Sequence, residues 1–161
     1  MVDDQGNVCG LAPRSVLHAD PSLLHSVVHV LVFNNKGELL LQRRALTKDV
    51  APGLWDTSVG GHVEPGEELL HAARRETSEE LGMRTVPELE FLYRYRYNGE
   101  RESELVHTFR CVSEGPFEFS ADEILELRFW QIADIEERLG TGAFSGHFAA
   151  EFARYLERTR L

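Results

Sequence analysis

Between Gly60 and Met83 the chain sets a glycine-rich loop directly before an uninterrupted helical run, and this junction restricts the fold more than any other stretch. Gly60-Gly61-His62-Val63-Glu64-Pro65-Gly66 leads into Glu68 to Leu81, which contains neither Pro nor Gly and stops at Gly82, a residue suited to a left-handed C-cap. Glu76, Glu79 and Glu80 stand at offsets 0, 3 and 4, which at about 100° per residue places them on one face. Leu69, Leu70, Ala73, Thr77 and Leu81 form the neighbouring sector, so the acidic face borders the expected buried stripe and lines a cleft. Like charges at this spacing repel by a few tenths of a kcal/mol per pair, and by more where the site is dry. A cation belongs there, and an all-oxygen cluster of this kind suits Mg²⁺ or Mn²⁺. Taken alone, Glu-x-x-Glu-Glu is an ordinary solvated face. Glycines just before it let the backbone approach a phosphate or metal closely, which makes loop and helix one site.

The rest of the chain alternates short strands with few helices. Val27 to Phe33, a turn at Asn34-Asn35-Lys36-Gly37 and Leu39-Leu40-Leu41 predict one hairpin. Phe91, Tyr93, Tyr95 and Tyr97 at period two, Asn98-Gly99 and the run through Leu105, Val106, Phe109 and Val112 predict a second, with the aromatic stripe as a core face. Leu125, Leu127 and Phe129 read as a further strand, Ile132 to Leu139 as a short helix, and Phe148, Phe152, Tyr155 and Leu156 as the apolar face of a helix over the last fourteen or so residues. Hairpins without regular βαβ alternation point to an α+β fold with a mixed sheet.

No repeat, linker or low-complexity tract divides residues 1–161, so one domain is expected, with 42% hydrophobic residues to build its core. Twenty-seven acidic against seventeen basic residues give a net charge of −10, which repels a phosphate backbone and argues against nucleic acid as a partner. The most apolar stretch, Val27 to Phe33, is too short to span a membrane. An acidic start and two distant cysteines, Cys9 and Cys111, suit a soluble protein of the reducing cytoplasm. Nothing selects between monomer and homodimer.

Gly61, Glu67, Arg75, Glu76, Glu79, Glu80, Gly82 and Met83 fill the pattern G-x5-E-x7-R-E-U-x-E-E-x-G-U, where U is bulky and apolar, with Thr77 as a mild departure. In this the chain resembles the Nudix hydrolases. The resemblance implies an α/β/α sandwich around a mixed β-sheet and water attack on a diphosphate bridge in a small molecule, such as a nucleoside diphosphate linked to another moiety. It implies that Glu79, Glu80 and the Gly60 carbonyl bind Mg²⁺ or Mn²⁺, that Glu76 is a further ligand or the base, and that Glu67 and Arg75 pair to brace the loop. Arg43, Arg44 and Lys48 are candidates for holding phosphate oxygens, or else a solvated basic edge.

A second resemblance covers residues 14–131. His18-Ala-Asp-Pro-Ser-Leu-Leu-His25, the run Leu39 to Lys48, Pro52-Gly53-Leu54-Trp55 and Ser58-Val59-Gly60-Gly61-His62 are similar to type 1 isopentenyl-diphosphate isomerase, itself of the Nudix fold. That resemblance implies a second divalent metal on His18, His25, His62, Glu102 and Glu104, and a mixed nitrogen and oxygen set favours Mn²⁺, Fe²⁺ or Zn²⁺. The isomerase carries a cysteine immediately before the Gly-His pair and a degenerate Nudix box. Here Gly60 takes the cysteine's place and the box is complete, which points to hydrolysis, with an isomerase-like enzyme or a non-catalytic diphosphate sensor as alternatives.

Overall fold

The computed structural model describes residues 1–159; Arg160 and Leu161, with the end of the expected last helix, lie outside the described residues. In chain order the elements are α1 (Arg14–Leu17), β1 (Leu24–Phe33), β2 (Leu39–Arg44), β3 (Trp55–Asp56), β4 (Val59–His62), α2 (Leu69–Leu81), β5 (Glu90–Asn98), β6 (Ser103–Val112), β7 (Ile124–Trp130), α3 (Ile132–Arg138) and α4 (Gly146–Thr159). The seven strands form one mixed sheet in the order β3-β2-β1-β6-β5, with β4 also paired to β1 and β7 to β2. β1 and β6 run parallel through ten paired positions from Leu24↔Ser103 to Phe33↔Val112, and the other pairings are antiparallel.

β1 is buried nearly throughout because both its faces are covered, as its almost unbroken apolar run requires. Val28, Val30 and Val32 pack with Leu40, Val59, Ala72, Ala73 and Leu81 under α2. Leu31 and Phe33 face the other way, into a second cluster with Leu39, Leu41, Trp55, Trp130, Ile135, Phe148 and Phe152 under α3 and α4. The architecture is the expected α+β sandwich.

Three local expectations are corrected. Leu70 is exposed, and Ala72 takes its place in the buried stripe of α2. Leu125 is exposed because a bulge opposite Arg43 and Arg44 skips it, so that Ile124 turns inward instead. Phe91 is exposed because the β5–β6 register shifts between Phe91 and Tyr93, which breaks the aromatic stripe. Gly82 ends α2 at φ 62°, and the freed Leu81 carbonyl accepts from the Glu118 N–H of the segment between β6 and β7.

Candidate functional site

β4 delivers the glycine loop and α2 the carboxylates. A Cβ at Gly61 would overlap the Glu76 carboxyl, so the bare position is what lets that side chain lie against the strand. Gln42 Nε2 donates to Glu80 Oε2 at 2.9 Å, and the Gly60 N–H lies 3.4 Å from the same oxygen. Arg75 grips Glu67 with two parallel bonds of 2.9 Å, donates to the His62 carbonyl at 2.9 Å and reaches Glu76 at 2.7 Å. That bond to Arg75 holds Glu67 down at about 2.

Arg75 also reaches Glu79 at 3.3 Å, so one guanidinium, shared with Glu67, is the positive charge paired with Glu76 and Glu79, and Glu80 has no cationic partner among the described contacts. Burial, with Glu76 and Asp56 adding, pushes Glu80 up to about 7, and burial likewise raises Glu76. Three clustered carboxylates with so little positive charge are the donor set a hard divalent cation requires, and the residues fit one. They open into a cavity of about 1140 Å³.

A second cavity of about 460 Å³ is separated from the first by Gly60, Gly61 and His62, which line both. His18 and His62 line it, and His25, which lines the first cavity, packs against both, with the three ring centroids 4.9–5.5 Å apart. His18 Nε2 and His62 Nε2 are 2.8 Å apart, His18 Nδ1 is 2.9 Å from Glu102 Oε2, and His25 Nε2 is 3.8 Å from Glu104 Oε1. Ligand atoms of His18, His25 and His62, and of His25, Glu102 and Glu104, lie within 4.8 Å of one another in each set. His25 Nδ1 and Nε2, Glu102 Oε2 and Glu104 Oε2 are buried without a well-formed hydrogen bond among the described residues. Buried polar atoms left in this state are costly, and a shared cation is what satisfies them. Burial, then His25, pushes His62 down to about 4, which keeps its ring lone pair available at neutral pH.

The three basic candidates separate. Arg44 and Lys48 line the second cavity, but Arg44 is bonded to the Val50 carbonyl and Asp56, and Lys48 pairs with Glu123. Arg43 lines neither cavity and donates to the Gly53 carbonyl. None of the three faces the α2 carboxylates.

Sequence reasoning missed three further groups here. His147, at the second position of α4, lies 3.4 Å from Glu104 and 3.5 Å from Glu102 and packs on the Tyr97 ring at 4.2 Å. Burial opposes the charged form of Glu104, yet His147 and the neighbouring histidines outweigh it and hold that carboxyl at about 2. His29 lines the second cavity beside Gly60, where a Cβ would come within 3.3 Å of its ring, and its Nδ1 is bonded to fully buried Glu151 at 2.7 Å. A polar residue inside an apolar run, of strand β1 for His29 and of helix α4 for Glu151, was the only available signal.

A profile of the NUDIX domain matches residues 23–152. An isopentenyl-diphosphate Delta-isomerase from Streptomyces avermitilis is 36% identical over 154 residues, covering 92% of this chain and 78% of its own. An uncharacterized Nudix hydrolase, YfcD of Escherichia coli, is 37% identical over 127 residues, covering 79% of this chain and 69% of its own. The crystal structure of DR0079 from Deinococcus radiodurans superposes with a TM-score of 0.81 at 26% identity, covering 95% of each chain.

Proposed function

The chain belongs to the Nudix family, and from that membership we propose that it is a cytoplasmic, single-domain enzyme over residues 1–161 that hydrolyses a diphosphate bridge in a small molecule. The observation that carries this reading is the group of three carboxylates on α2, set against a glycine loop and short of positive charge.

Glu79, Glu80 and the Gly60 carbonyl are the residues to hold Mg²⁺ or Mn²⁺, with Glu76 as a further ligand or as the base. Such an ion, when bound, neutralises the bridging oxygens and sharpens the electrophilicity of phosphorus. Glu67 and Arg75 act as positioning residues: their two-pronged pair, with the Arg75 bond to the His62 carbonyl, fixes the loop against α2. Water adds to one phosphorus, the bridging P–O bond breaks toward the leaving phosphate, and Glu76 or Glu80 takes the water's proton. Arg44 and Lys48 are close enough to the second cavity to meet phosphate oxygens there once released from their present partners. The orphaned atoms of His25, Glu102 and Glu104, with the His18 and His62 ring nitrogens beside them, support a second divalent ion on these five residues at the edge of that cavity.

The test is a phosphate-release screen with Mg²⁺ over nucleotide sugars, dinucleoside polyphosphates, nucleoside triphosphates and alkyl diphosphates. Glu79→Gln and Glu80→Gln are expected to lower turnover at least 10²-fold with the fold retained; wild-type rates in both variants sink the assignment. In Mn²⁺ titrations the same pair of variants should remove one class of sites and His25→Ala another, and one shared class would merge the two centres.

A further inference from the structure

Glu102 and Glu104 stand two positions apart on β6, so both side chains lie on one face of the strand, and each is 8% exposed. Like charges this close and this far from water are costly unless their oxygens find cations or donors. The four oxygens divide by what they meet. Glu102 Oε2 is 2.9 Å from His18 Nδ1 and Glu104 Oε1 is 3.8 Å from His25 Nε2, so this inner pair faces the histidines. The outer pair, Glu102 Oε1 and Glu104 Oε2, faces α4 instead. There His147 Nε2 is almost equidistant from the two, at 3.5 Å and 3.4 Å.

His147 is held firmly in that place. Ser145, buried just before α4, accepts the Phe148 N–H at 3.0 Å and caps the helix. Its hydroxyl donates to Asp56 Oδ1 and its backbone N–H to the Trp55 carbonyl, both at 2.9 Å, which ties the start of α4 to β3. The Tyr97 ring packs on the imidazole with centroids 4.2 Å apart. Phe148 is fully buried beside it, and Glu151, one turn along α4, is bonded to β1, β5 and β6. Residues that ligate a metal need partners of their own to fix which atom turns to the ion, and an imidazole so anchored can serve two carboxylates at once. The resemblance that supplies His18, His25, His62, Glu102 and Glu104 ends at residue 131, and His147 lies beyond it.

We propose that His147 is a positioning residue of the histidine–glutamate cluster: its Nε2–H holds the outer oxygens of Glu102 and Glu104, so that the two carboxylates turn their inner oxygens to a divalent ion shared with His18, His25 and His62. The inference rests on reading those five residues as an ion site. It makes α4, through one side chain, part of that site.

Zn²⁺ is the probe, titrated against a competing chromophoric chelator with excess Mg²⁺ present to occupy the α2 carboxylates. His25→Ala should abolish the site. His147→Ala should keep its stoichiometry but weaken it about 10–100-fold. His147→Gln retains an N–H donor and should bind within about threefold of wild type. Phe148→Leu loosens the docking of α4 without touching either carboxylate, and its Zn²⁺ affinity should stay near that of wild type. Unchanged affinity in His147→Ala, complete loss of the site there, no recovery in His147→Gln, or an equal loss in Phe148→Leu overturns the proposal. Wild-type binding by His25→Ala would instead overturn the ion site itself, and the inference with it.

Discussion

Glu80 is the residue at which proton and metal compete most directly. Its carboxyl is pushed up to about 7, first by burial, against the bond from Gln42 and with Glu76 adding to the rise. The folded chain therefore keeps a proton that the unfolded chain releases from about pH 4.5, so this group's contribution to stability is full below pH 4.5 and is lost as pH rises toward 7. Without metal the loss is on the order of 3 kcal/mol by pH 8. In chelator, Glu80→Gln should thus gain melting temperature relative to wild type between pH 5 and pH 8, and Mn²⁺ should reverse the order by requiring the carboxylate. A difference between the two proteins that ignores pH would show that Glu80 ionises freely. Glu67 behaves in the opposite sense: held at about 2 by Arg75, it supports the fold above about pH 4.5 and fails only in acid.

At the scale of elements, α4 is fastened to the sheet by a carboxylate as well as by its aromatic face. Glu151 is fully buried and receives hydrogen bonds from Tyr93 at 2.6 Å, Tyr95 at 3.0 Å and Thr108 at 3.0 Å, beside its 2.7 Å contact with His29. Glu151→Ala strands these partners and should cost about 3–5 kcal/mol in urea unfolding, with Glu151→Gln milder because an amide oxygen still accepts from the hydroxyls. A loss below about 1 kcal/mol would mean that the apolar face alone docks the helix. This network was illegible in the sequence: the 3.6-residue period of Phe148 and Phe152 announces α4, but Glu151 finds partners on three distant strands that no local pattern links to it. α2 was legible because its start, stop and acidic face are all encoded within one segment. β3 and β4, of two and four residues, are too short for periodicity to show, and the exposure of Leu125 follows from a register defect that only the pairing with β2 creates. The convergence of His18, His25 and His62 with Glu102 and Glu104 was readable through resemblance alone, since β1–β6 pairing brings the segments together.

Across the whole molecule, the two cavities meet at a strand of bare glycines, and this bears on the isomerase named among the relatives. Shifting a double bond needs one group to protonate carbon and another to remove a proton from the far side. Position 60 offers no side chain; Cys9 is exposed in the segment before α1, and burial pushes the Cys111 thiol up to about 11 inside the core. Loss of one such group costs about 10²–10⁴-fold, so isopentenyl diphosphate in deuterated water is expected to exchange no more than a trace by NMR. Brisk incorporation would promote the isomerase reading. The parallel β1–β6 pairing has a consequence for how the chain comes to life on a ribosome. β1, β2, β4 and α2 occupy residues 24–81 and are synthesised as one continuous stretch, whereas Glu102 and Glu104 belong to the later segment that must close a loop back to β1. A nascent chain thus carries its Nudix helix before the sheet beside β1 is filled, and the histidine cluster waits for its carboxylates until translation has passed β6.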